Sequence, residues 1–170
     1  LQLYRKARPE DQRIHTALMM KAETLFSNKE TAAAAKVYSE INAAVVSEKN
    51  RPGLLYQRGW CLSEAGDAQG AVRSLSDFIA RYPQDQRIPS ALANRSKAYV
   101  ESAEPQKAIA DFDRLTAPGT PEDLASFAWL ESARMRRGEN NIPDMIARYQ
   151  GLLKNVGNLS DSLQGEANYW

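Results

Sequence analysis

The chain has 170 residues, 43% of them hydrophobic and 25% charged, with a formal net charge of +1. That composition supports a packed core and lacks the basic excess of a nucleic-acid-binding surface. One cysteine and one histidine exclude a disulfide framework and a Cys- or His-cluster metal site, and no apolar run is long enough to span a bilayer.

The first residues, Leu1 to Lys6, show no signal peptide, and the chain opens without Met and stops at Tyr169-Trp170. It is expected to be a piece of something longer. Residues 9–18 recur as 83–92 with seven of ten identities, at an offset of 74, twice 37. A 37-residue period then runs through the chain without a gap. Leu18, Leu55, Leu92 and Trp129 are all large, and Ala22, Gly59, Ser96 and Ala133, four residues on, are all small. Further columns read Ala34, Ala71, Ala108, Met145; Tyr38, Leu75, Phe112, Tyr149; and Ile41, Phe78, Leu115, Leu152. The spacing i, i+4, i+7 inside each column set is helical, and no stretch alternates as a strand does.

In chain order, residues 1–11 are expected to end a preceding repeat. Residues 12–50, 51–87, 88–121 and 122–157 are expected to be four two-helix repeats, and 158–170 the first helix of a truncated fifth. Ser27-Asn28, Gly66-Asp67, Glu104-Pro105 and the stretch from Gly138 to Pro143 mark the turns inside the pairs. Asn28 is read as an N-cap, and Pro105 and Pro143 suit a first helical turn. The small column is expected where the two helices of a pair cross, facing Ala34, Ala71 and Ala108. A single pair cannot bury its own apolar face, so pairs must stack.

These residues resemble the tetratricopeptide repeat. Leu55, Gly59, Leu62, Ala71, Leu75, Phe78 and Pro83 follow its motif, as do Leu92, Ser96, Tyr99, Ala108, Phe112 and Leu115. The outer repeats are looser: Arg136 and Met145 depart from the pattern, and the final Pro is absent. The stretch Phe78 to Pro83, with Ala91-Leu92 and Ala98-Tyr99, looks like the bacterial envelope branch of the family. That branch includes the periplasmic protein accompanying the Tol–Pal system and the lipoprotein of the β-barrel assembly machine. The closing Ala167 to Trp170 looks like the start of a further repeat.

The resemblance implies an all-α, right-handed α-solenoid of about four helix-turn-helix repeats. Their first helices would line a concave groove for a protein or peptide partner. Groove positions would be Met19, Glu23, Phe26, Tyr56, Trp60, Glu64, Lys97, Glu101, Phe127, Arg134 and Arg137, with Leu130 beside them. Tyr56 and Trp60 would form a flat aromatic surface or complete the core, and the groove would run from acidic at Glu23 and Glu64 to basic at Arg134 and Arg137. Aromatic and Arg anchors suit such binding. Lys97 beside Asn94 resembles part of the family's carboxylate clamp, but the clamp's Gly-Asn pair is missing, since Trp60 follows Gly59.

Other polar residues read more plainly. Cys61 is expected to be buried and inert, His15 to lie on the surface of a first turn, and Asp111 and Asp113 to form a wet helix face. Arg134, Arg136 and Arg137 suit either an acidic partner or a solvated helix end. Asn158-Leu159-Ser160 matches a glycosylation sequon. With no phosphate loop, nucleophile elbow or metal motif, the expected role is a non-enzymatic interaction scaffold in envelope assembly, without cofactor, metal or nucleic acid. The alternatives are self-association through the open ends as a homodimer, or regulation of a larger multidomain protein. The compartment would be periplasmic or at the outer membrane, with the cytoplasm as the alternative.

Overall fold

The structure, a computed structural model, describes residues 11–157 and 159–170. Every regular element among them is helical. The chain divides into two units, Leu1–Asp85 and Gln86–Trp170. The expected end of a preceding repeat, residues 1–11, lies outside the described residues except for Asp11, and so does Asn158 of the sequon.

The first unit holds α1 (Gln12–Ser27), α2 (Thr31–Ser39), α3 (Arg51–Glu64) and α4 (Ala68–Arg81), each packed on the next. The second holds α5 (Ile88–Glu101), α6 (Pro105–Leu115), α7 (Glu122–Gly138), α8 (Ile142–Asn155) and α9 (Asp161–Tyr169). There too neighbours pack in order, and α5 also meets α7. Each unit is built from adjacent helix pairs, as in a tetratricopeptide-like helical solenoid.

The turn inside each pair repeats as faithfully as the core does. Lys29, Gly66, Ala103 and Asn140 stand 37 residues apart, and all have positive φ, at 64°, 80°, 56° and 57°. The next residue donates its N–H to a carbonyl five back: Glu30 to Leu25, Asp67 to Leu62, Glu104 to Tyr99 and Asn141 to Arg136, at 2.8–2.9 Å. This is the Schellman closure, which satisfies carbonyls that a helix end leaves open. Asp67 and Asn141 then cap α4 and α8 with their side chains, whereas Glu30 and Glu104 make no side-chain cap. Asn28 is the C-cap of α1 rather than an N-cap, because the left-handed residue must precede the new helix. Pro52, Pro89, Pro105 and Pro143 all sit in a first turn, where a missing N–H breaks no helical bond.

The five apolar columns form the cores of the two units. Ala22, Ser96 and Ala133 have no exposed surface, and Gly59 is buried. A Cβ added to Gly59 would lie 2.5 Å from Leu75 Cγ and 3.3 Å from the Leu75 backbone N. So α3 meets α4 closely, but the gap accommodates Leu75 rather than Ala71 as expected. Ile41 is buried as its column requires, yet α2 stops at Ser39. There the Ser39 hydroxyl donates back to the Ala35 carbonyl at 2.8 Å. The loop that follows is held from both sides. Arg51 donates to the carbonyls of Ala43 and Val46, each at 2.8 Å, and the Asn42 N–H donates to His15 Nδ1 at 3.2 Å. His15 is therefore buried. The expectation of a surface histidine fails because the ring supplies an acceptor to a loop that has no helix of its own.

Candidate protein-interaction site

In the first unit the expected positions lie on α1 and α3. Met19 is buried at 7% exposure, so its side chain packs inside the unit and presents little to a partner. Phe26 and Trp60 are half-buried, and their rings meet edge to face across α1 and α3, with centroids 4.8 Å apart and planes at 69°. Tyr56, one turn before Trp60, leans instead on Phe78 of α4 at 5.6 Å. The two aromatics thus serve different contacts. Glu23, three residues before Phe26, and Glu64, four after Trp60, are exposed. Helical spacing puts each acid on the same face as its aromatic. Among the described residues neither acid forms an ion pair.

In the second unit the cations are already engaged. The Arg134 guanidinium forks onto Glu166 of α9, with Nε at 3.1 Å and Nη2 at 2.7 Å, and also reaches Glu131 at 3.0 Å. The Tyr149 hydroxyl donates to the same Glu166 at 2.7 Å. Hydrogen bonds from Arg134 and then Tyr149 hold the Glu166 carboxyl far below the usual range, at about 2, while Arg134 is held further in its charged form. Burial, aided by Glu166, pushes the Tyr149 hydroxyl up to about 12. Arg136 pairs with Glu139 at 2.9 Å and Asp144 at 2.7 Å. The Arg137 guanidinium lies 5.6 Å from the Trp170 ring, and the Lys97 ammonium 5.4 Å from the Phe127 ring. Phe127 in turn meets Phe112 edge-on at 5.6 Å. Glu101 is exposed and Leu130 buried. Arg136 and Arg134 therefore tie α7 to α8 and α9, while Arg137 stays exposed in the last turn of α7.

Two polar pairs were invisible to the apolar periodicity. Arg95 on α5 grips Asp111 on α6 at 2.8 Å and 2.7 Å through Nε and Nη2. Asp111 is buried at 3%, so the expected wet face holds only for Asp113, whose side chain is exposed and pairs with Arg148. Thirty-seven residues earlier, Arg58 on α3 meets Ser74 on α4 at 2.9 Å. The signal was available as a column, since Arg58 and Arg95 are one period apart, as are Ser74 and Asp111. Cys61 is fully buried, and burial pushes its thiol up to about 11, which disfavours the reactive thiolate. Among the described residues no cluster of His, Cys, Asp and Glu could hold a metal ion, and no helix is long and apolar enough to cross a membrane.

Residues 54–85, almost all of α3 with α4 and its exit, match the family model of the tetratricopeptide repeat. The geometry and this match define a helical-repeat protein that carries a tetratricopeptide repeat, a module that generally mediates protein–protein interaction and is typically non-catalytic. No curated protein matches the chain.

Proposed function

We propose that the chain is a non-enzymatic interaction scaffold whose first-unit helices α1 and α3 bind a peptide or helix from a protein partner. The observation that carries this reading is the half-buried Phe26–Trp60 stack, flanked by the exposed, unpaired Glu23 and Glu64. An aromatic anchor next to unneutralised carboxylates favours a segment with apolar and basic side chains. In the second unit, Arg134 and Arg136 bind carboxylates of their own chain; in the first, Glu23 and Glu64 are the charges left for a partner of α1 and α3. The similarity of residues 78–99 to the envelope branch supports a setting in bacterial cell-envelope assembly.

Selection of displayed peptides on the intact chain tests the reading. Binders should carry Lys or Arg beside an apolar residue, and Glu23→Lys with Glu64→Lys should weaken them at least about tenfold by charge reversal without moving the thermal midpoint. Binders that ignore both substitutions would contradict it.

A further inference from the structure

The first unit contains a cleft of about 520 Å³ among α2, α3 and α4, lined by Ser39, Arg58, Leu62, Asp67, Gly70, Arg73, Ser74 and Asp77. It does not involve the Phe26–Trp60 stack. Its distinguishing feature is a cation without its anion. In the next helix pair the equivalent arginine, Arg95, is saturated by the two oxygens of Asp111. Here Ser74 stands at the place of Asp111. Its hydroxyl accepts from Arg58 Nε at 2.9 Å and donates to the Leu55 carbonyl at 2.9 Å. Among the described residues the one other hydrogen bond of the guanidinium is long, Nη1 to the Ile41 carbonyl at 3.4 Å. Among the described residues no carboxylate comes within ion-pair reach of Arg58.

A half-buried guanidinium with unfilled donors is unfavourable, because its lost hydration is not replaced. Burial pulls the Arg58 pKa down, against a partial upward pull from the charge of Asp77. Of the two acids in the cleft, Asp67 is occupied in capping α4, where it accepts from the Gly70 N–H at 2.9 Å. Asp77 is exposed, as is the second cation, Arg73. A serine also leaves open the volume that an aspartate would fill.

We propose that this cleft is a carboxylate-binding site. With Nε held by Ser74, Arg58 grips an external carboxylate through its terminal Nη donors, and Arg73 adds a second positive charge from the cleft wall. Planar bidentate recognition is what the guanidinium does best, and it needs neither metal nor bond chemistry.

The test follows the Arg58 Nε–Hε signal of the 15N-labelled chain during titration at constant ionic strength. The probes are sodium acetate, the capped peptide acetyl-Gly-Asp-Gly-amide, sodium phosphate and, as control, sodium chloride. A saturable shift with acetate or the peptide is expected. Tighter binding of the peptide assigns the carboxylate to a polypeptide, and equal binding to a small acid. Ser74→Asp places a carboxylate inside the cleft and should abolish the response. Arg58→Gln, read on the amides of Gly70 and Ser74, should weaken binding about tenfold or more, and it keeps the test intact if Ser74→Asp misfolds. Asp77→Asn should tighten binding. A response to chloride or phosphate alone, an undiminished response in Ser74→Asp or Arg58→Gln, or weaker binding in Asp77→Asn would overturn the proposal.

Discussion

Gly151 of α8 lies directly under the Trp129 ring of α7: a Cβ at residue 151 would come within 2.5 Å of Trp129 Cζ3 and 2.7 Å of Cη2. The other pairs place leucine where this one places Trp129, so the glycine makes room for the larger ring. Gly151→Ala should destabilise the chain by about 1–3 kcal/mol of overpacking, partly offset by the roughly 0.5–1 kcal/mol that Ala gains over Gly inside a helix. Trp129→Leu in the same chain should remove the clash. Urea denaturation of both singles and the double should give a coupling of at least about 0.5 kcal/mol; additive effects would show that the ring and the glycine do not meet.

The buried Arg95–Asp111 pair makes a sharper demand. Asp111→Ala strands a guanidinium whose side chain is only 13% exposed, and a broken buried pair of this kind costs about 3–5 kcal/mol. Asp113→Ala, two residues away on the exposed side, should cost no more than about 1 kcal/mol. Equal losses in chemical denaturation would mean that Asp111 is as wet as its neighbour.

The four left-handed turn residues predict a gain. Gly66 suits its positive φ and Asn140 tolerates it, while Ala103 at 56° carries a Cβ that costs about 1–2 kcal/mol in this region. Ala103→Gly should therefore raise stability by about 0.5–1 kcal/mol after the entropy of glycine is counted. Gly66→Ala should lower it by about 1 kcal/mol or more. Thermal melts of the two variants should move in opposite directions.

Glu166 links the docking of α9 to pH. Its folded carboxyl is depressed from 4.5 to about 2, so its contribution is complete above the ordinary value and lost as pH falls from about 4.5 towards 2. Carboxyl 13C shifts of Glu166 should titrate near the lower value, and amide protection in α9 should fall in the same window. Glu166→Gln should remove that pH dependence. A midpoint near 4.5 would mean that Arg134 and Tyr149 do not hold the carboxylate in solution.

The architecture was legible because burial imposes size on every repeat. Leu55, Gly59, Leu75 and Phe78 announce a closely packed helix pair before any coordinate is known. Side-chain partners were less legible, since a charged residue on a helix reads as solvated until its neighbour is placed. Asp111 was misjudged for that reason, and the Glu166 partner of Arg134 went unseen: the partners lie 16 and 32 residues away. His15 was misjudged because the loop it serves has no periodic signature. The turn residues carried a 37-residue signal as strict as the core, but it lies in φ and not in residue type, with Lys, Gly, Ala and Asn sharing one conformation. The face of α1 and α3 was legible in its residues but not in its geometry, because the sequence does not say that Trp60 turns to Phe26 and Tyr56 to Phe78.

The close crossing of paired helices at a small residue underlies the whole account, and one denaturation experiment addresses it. Gly59→Ala should lose about 1–3 kcal/mol from the collision with Leu75, despite the better helix propensity of alanine. Gly165→Ala in α9, where nothing lies within 4 Å of the added Cβ, should be neutral or gain up to about 1 kcal/mol. If Gly59→Ala proved as stable as Gly165→Ala, α3 and α4 would not meet at that residue, and the packing described here would be wrong.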